Sequence, residues 1–167
     1  MSRWLLIVVG MLAISFASAG EGDIPFTSAG IASLVGKSIC DLQGKFPLGV
    51  AVYLDHRKQY ALDYRERDGT IAVFLLSKPV AQCGRVDAVL NLTPLIKTGE
   101  SPEFKCYTDH EGGTTWGKWG HIIGLANNES GKKRFVSARL AWRVNIERKS
   151  FEKISEKTQC DTSGYAD

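Results

Sequence analysis

The residues best suited to chemistry concentrate in one stretch, Trp116-Gly117-Lys118-Trp119-Gly120-His121, with His110 one Gly112-Gly113 turn upstream. Tryptophan carries a large rigid face and a single N–H donor, a combination suited to protein hot spots and to stacking on sugar rings. Glycines inside a strand mark a bulge, a bend, or the close approach of another backbone or a ligand. Strict alternation puts Trp119 and His121 on one strand face and Trp116 on the other, whereas a bulge at Gly117 brings all three together. Trp116, Lys118, Trp119, His121 and His110 are therefore the expected binding residues. The plainer alternative has the tryptophans filling the interior and the glycines relieving sheet curvature.

Catalysis finds less support. In Asp109-His110-Glu111 a histidine stands between carboxylates, as a proton shuttle or a metal ligand would. Adjacent side chains diverge in an extended chain, so the triplet alone chelates poorly. Asp55-His56-Arg57-Lys58 follows an apolar strand pattern and reads as a polar hairpin turn. No G-x-S-x-G elbow, H-E-x-x-H zinc pair, phosphate-binding Gly-rich loop or dinucleotide fingerprint occurs in the chain. A hydrolase would need two of His56, His110 and His121 to converge with a carboxylate. No catalytic residue, metal or cofactor is assigned.

The amino terminus bears on the compartment. Arg3 precedes an apolar run from Trp4 to Phe16, followed by Ala17-Ser18-Ala19. A basic start, an apolar stretch shorter than a membrane span and small residues at the cleavage positions predict a secretory signal over residues 1–19. Residues 20–167 then form the exported domain. Its four cysteines (Cys40, Cys83, Cys106 and Cys160) read as two disulfides of an oxidising compartment, periplasmic or extracellular. Of the three possible pairings, Cys83–Cys106 with Cys40–Cys160 is preferred, joining neighbouring strands and holding both ends to the body. No two cysteines have the spacing of a zinc site. A formal charge of +3 without a long basic stripe argues against nucleic acid and against an anionic membrane. Lys132-Lys133-Arg134 lies in a turn, and the 160–167 tail is polar and frayed beyond Cys160.

The elements that must position these residues are almost all strands. A short helix is expected over residues 27–35, capped by Thr27 or Ser28, with Ile31, Leu34 and Val35 on one face and Gly36 at its end. Period-two alternation then marks residues 50–54, 60–65 and 85–92, with Asp68-Gly69 as a hairpin turn into residues 70–76 and Pro79 closing that strand. Pro94 and Pro102 bracket a loop, and a short strand follows over residues 103–108. Residues 114–125 form the glycine-rich strand. In the cleanest strand Val136, Ala138, Leu140, Trp142, Val144 and Ile146 share one face, opposite Ser137, Arg139, Arg143 and Asn145. Residues 151–154 return from it.

About eight strands with short connections predict an all-β fold, an antiparallel barrel or sandwich with barrel mildly preferred, because closure removes exposed edges. On such a frame the expected function is non-catalytic binding to another exported or envelope protein, as an inhibitor or interaction module binds. A carrier holding a small ligand inside a barrel is the alternative. No stable membrane insertion of the exported domain is expected.

Overall fold

Asp68 and Gly69 both adopt positive φ (48° and 75°), the backbone a type I′ turn demands. They join β2 (Tyr60–Arg67) to β3 (Thr70–Val80) in an eight-pair register from Arg67↔Thr70 to Tyr60↔Ser77. The computed structural model describes residues 24–42, 51–54, 57–80, 83–108, 122–127 and 134–162. Around this hairpin β1 (Ala51–Tyr53) pairs β2, and β4 (Cys83–Asn91) pairs β3, giving a four-stranded sheet in the order β1-β2-β3-β4. A second sheet runs β5 (Glu100–Glu103), β7 (Ile122–Asn127), β8 (Phe135–Asn145), β10 (Thr158–Asp161), β6 (Cys106–Thr108). Strand β9 (Ser150–Ile154) pairs β8 beyond the end of β10. All described pairings between these strands are antiparallel.

The preferred barrel is corrected: among the described residues the strands lie in two sandwich-like sheets with no closed barrel. The reason is visible in β3. Its run Ala72-Val73-Phe74-Leu75-Leu76 is buried on both faces. Val73 and Leu75 meet Ile123, Leu125, Trp142 and Val144 of the second sheet. Ala72, Phe74 and Leu76 meet Phe26, Ile31, Leu34, Ile39 and Leu42 of the N-terminal segment. A barrel wall keeps one wet face; a strand apolar on both faces is the middle layer of a stack.

That N-terminal cover is shorter than expected. Helix α1 spans only Ser28–Ala32, with Thr27 Oγ1 accepting the Gly30 N–H at 3.2 Å, and a 3₁₀ turn follows at Ile39–Asp41. Ile31 and Leu34 are buried, but Val35 is exposed, because the turn after α1 ends the helical periodicity before that position. Two prolines expected to bound strands lie inside them: Pro79 in β3, beside a bulge, and Pro102 in β5, at a sheet edge. Bulges and edges are where a missing N–H breaks no ladder bond.

The second sheet curls. β5 and β6 stand at opposite ends of its strand order, yet only Phe104 and Lys105 separate them, a reach of about 10 Å at most. Inside the curl lie Cys106, Ile122, Ala126, Val136, Ala141 and Cys160, with Ala138 and Ile154 against them. Strand β8 serves this cluster and the inter-sheet core through a bulge: Leu125↔Leu140 is followed by Ala126↔Ala138, leaving Arg139 as the extra residue. Uninterrupted alternation along β8 is thus corrected. Leu140, Trp142 and Val144 turn to the inter-sheet core, whereas Val136, Ala138 and Ala141 line the curl.

The bulge also sends the Arg139 side chain to the 92–99 connection between the sheets. One guanidinium nitrogen donates to both Glu100 Oε2 and the Leu95 carbonyl, each at 2.6 Å. This charge-assisted pairing holds the Glu100 carboxyl below its ordinary value of 4.5. A lowered carboxylate contributes stability above the unfolded value and loses it as pH falls through the folded one. Glu100→Gln is therefore expected to flatten the acid limb of stability below pH 4.5. Urea midpoints of both proteins from about pH 7 down to pH 3 check this; parallel limbs would refute it.

Both expected disulfides are present, but the preferred pairing is corrected. Cys40 bonds Cys83, with Cα atoms 5.4 Å apart, and Cys106 bonds Cys160, with Cα atoms 4.0 Å apart. Strand adjacency decides this. Ser38 bridges Arg85 at the free edge of β4, bringing Cys40 to Cys83, while Cys106 lies directly opposite Cys160 in the β6–β10 register. Cys83 and Cys106 belong to different sheets.

Candidate binding site

Trp116, Lys118, Trp119, His121 and His110 lie outside the described residues, within the connection from β6 to β7, as do Asp109 and Glu111; Asp55 and His56, between β1 and β2, are outside them too. Their convergence on a binding face is a proposal taken up below. Residues 1–19, expected to form a secretory signal, and the tail beyond Thr162 are likewise outside.

Within the described residues lies an open, shallow groove that sequence reasoning missed. It has a volume of about 320 Å³ and is lined by Gly36, Lys37, Ser38, Ser77, Lys78, Cys83, Gly84 and Arg85. Three chain segments build it side by side. Residues 36–38 follow α1 and lie along β4, with the Gly36 N–H donating to the Val86 carbonyl and the Val86 N–H to the Lys37 carbonyl, both at 2.8 Å. β4 supplies the middle and β3 the far wall.

One row crosses all three segments. Ser38 bridges Arg85, and Arg85 pairs Ser77, so the three side chains share a face in the order Ser–Arg–Ser. Directly opposed residues of this kind hold their Cβ atoms about 5 Å apart. The Ser38 hydroxyl accepts the Cys40 N–H at 3.2 Å, and the Asp41 carboxylate accepts the Ser38 N–H at 3.1 Å, fixing that wall. On the far wall Ser77↔Arg85 is followed by Val80↔Cys83, so Lys78 and Pro79 bulge opposite Gly84. A Cβ on Gly84 would lie 3.1 Å from Leu76 Cβ and 3.3 Å from Pro79 Cα, so the bulge closes tightly on a glycine. Lys78 takes φ 47° there, and its N–H donates to the Gln59 carbonyl at 2.7 Å. Non-glycine residues in left-handed backbone are strained by about 1–2 kcal/mol.

The groove is positive. Lys37, Lys78 and Arg85 line it, and none of its lining residues is acidic. The carboxylate near Arg85 is Asp87, 4.0 Å from Arg85 Nε, and Asp87 Oδ1 accepts from Lys149 Nζ at the shorter distance of 3.1 Å.

Other titratable groups are tied into the frame. Asp63 is buried, and burial raises its pKa although Arg65 opposes this through hydrogen bonds at 2.8 and 2.9 Å. Burial likewise raises Glu103, which accepts the Ser101 hydroxyl, and Tyr64, which donates to Glu66 at 2.7 Å. The Thr93 hydroxyl accepts the Ile71 N–H at 2.8 Å and donates to the Ile71 carbonyl at 3.3 Å. Among the described residues no group of three or more His, Cys, Asp or Glu is placed to hold a metal ion. None of their helices is long and apolar enough to cross a membrane. The two disulfides are consistent with an oxidising compartment. No protein-family model, curated protein or solved structure matches the chain.

Proposed function

We propose that the chain is an exported, non-catalytic binding protein whose β sandwich presents a rigid surface to another exported or envelope protein. What supports this is the distribution of space. Between the sheets Leu62, Val73, Leu75, Leu90, Ile123, Leu125 and Trp142 fill the interior, with Leu140 against them, while the basic groove opens on the outside. A filled core held by two cross-links is a frame for surface recognition. The alternative, a ligand inside a barrel, finds neither a closed wall nor an empty interior among the described residues.

The test uses residues 20–167, exported and oxidised, as bait in envelope and culture-fluid extracts. A Trp116→Ala/Trp119→Ala variant with an unchanged melting curve serves beside it. Retention of one stoichiometric protein partner by the parent, and its loss from the variant, is the expected result. If the parent retains no partner, the reading fails. If both retain it equally, the tryptophans are not the contact surface.

A further inference from the structure

We propose that the groove between residues 36–38, β4 and the end of β3 is a binding site for a phosphate group. The proposal goes beyond the reading of the chain as a binding frame for another protein and uses different residues. Lys37, Lys78 and Arg85 come from three separate segments and line one groove with the hydroxyl-bearing Ser38 and Ser77. Bringing like charges together in a fold is unfavourable unless something negative joins them. Asp87 pairs with Arg85 at 4.0 Å but lies closer to Lys149, at 3.1 Å, so it offsets the charge of Arg85 only in part.

The arrangement suits a phosphate better than a carboxylate. A phosphate monoester carries nearly two negative charges at neutral pH and presents three strong acceptor oxygens. Two ammonium groups act as point charges, a guanidinium supplies a planar fork, and two hydroxyls donate singly. A volume of about 320 Å³ lies at the lower end for ligand sites, room for a phosphate and a small attached body. Three cations gathered at one groove of this size suit a single phosphate.

A second observation is independent of charge. Lys78 occupies left-handed backbone at a strand bulge, where glycine or asparagine would be unstrained. Asp68 and Lys149, with the same backbone, sit in turns, and Lys58 in the connection from β1 to β2, whereas Lys78 lies inside a strand. The bulge makes Lys78 part of the groove lining, and strain retained at such a place is characteristic of recognition sites. The Cys40–Cys83 disulfide and the paired backbone of residues 36–38 hold the walls at fixed separation.

The probe is inorganic phosphate, titrated into oxidised residues 20–167 against chloride at matched ionic strength, with backbone amide shifts as the readout. Saturable shifts at Lys37, Ser38, Ser77, Gly84 and Arg85 are expected. Lys37→Gln/Lys78→Asn should weaken binding at least about tenfold. Asparagine tolerates the left-handed backbone, so this variant should melt no lower than the parent. Lys153→Gln, on exposed β9 surface, should bind as the parent does. Flotation with phosphatidylglycerol and phosphatidylcholine vesicles separates the sources. Selective flotation on the former, lost in the double variant, assigns a lipid headgroup; phosphate saturation without flotation assigns a small phosphorylated molecule. Absence of saturable shifts, or equal affinity in the folded double variant, would overturn the proposal. A retained protein partner with no phosphate binding removes this inference alone; phosphate binding with no partner leaves the site standing and removes the partner reading.

Discussion

Gly124→Val is expected to destabilise the protein by at least about 3 kcal/mol, the upper range for overpacking a filled site. Gly124 lies in β7 beneath the disulfide of the curled sheet. A Cβ there would stand 2.6 Å from Cys160 Sγ and 2.9 Å from both Cys106 Sγ and Ala138 Cβ. None of these atoms is the free end of a flexible side chain. The two sulfurs are bonded to each other, and Ala138 Cβ is fixed to the β8 backbone. Relief must come from moving a strand, and β7 pairs both β5 and β8. Guanidinium unfolding under oxidising conditions would show the loss as a lower midpoint at similar slope. Replacing both sulfurs removes two of the three obstacles, so Gly124→Val should be less damaging in a Cys106→Ala/Cys160→Ala background than in the parent. A loss below about 1 kcal/mol in the parent would mean that the sheet opens easily there.

Removing the Cys106–Cys160 bond is the second large effect. Cross-linking residues 54 apart in sequence constrains the unfolded chain by about 4 kcal/mol on loop-closure grounds. The Cys40–Cys83 bond, with a separation of 43, predicts nearly the same figure. Burial separates them. Cys106 and Cys160 are fully buried in the curl, so Cys106→Ala/Cys160→Ala also leaves a void beside Gly124. Cys40 and Cys83 are exposed at the edge of β4, so Cys40→Ala/Cys83→Ala leaves none. The buried pair should therefore be the more damaging loss, and a mild thiol reductant should open Cys40–Cys83 first. Timed alkylation with peptide mapping, beside denaturant midpoints of the two double variants, reads both outcomes. Simultaneous opening of both bonds would mean that reduction proceeds through global unfolding.

The candidate groove was the least legible feature in the sequence. Lys37 and Ser38 lie about 40 residues before Lys78 and Arg85, and nothing in the spacing of a serine, a lysine and an arginine marks them as neighbours. Their meeting depends on residues 36–38 lying along β4 and on the β3 bulge, both of them pairing events between distant segments. The tryptophan- and histidine-bearing stretch stood out by composition, but composition does not say which surfaces it meets.

What the sequence determined by itself is what neighbouring residues settle between them. Alternation in residues 60–65 and 85–92 marked β2 and β4. Asp68-Gly69 named its turn because few residues accept positive φ. An even set of cysteines pointed to two disulfides, and the apolar stretch of β3 to a strand. What only the tertiary structure decided is which strands lie side by side. Cys40–Cys83, the curl that brings the opposite edges β5 and β6 near each other, the face change at Arg139 and the strand β10 all follow from that choice. Alternation is a property of one strand, whereas adjacency depends on how whole faces bury against each other. Because both faces of β3 had to be covered, the chain stacked into layers where its strand pattern alone allowed a barrel.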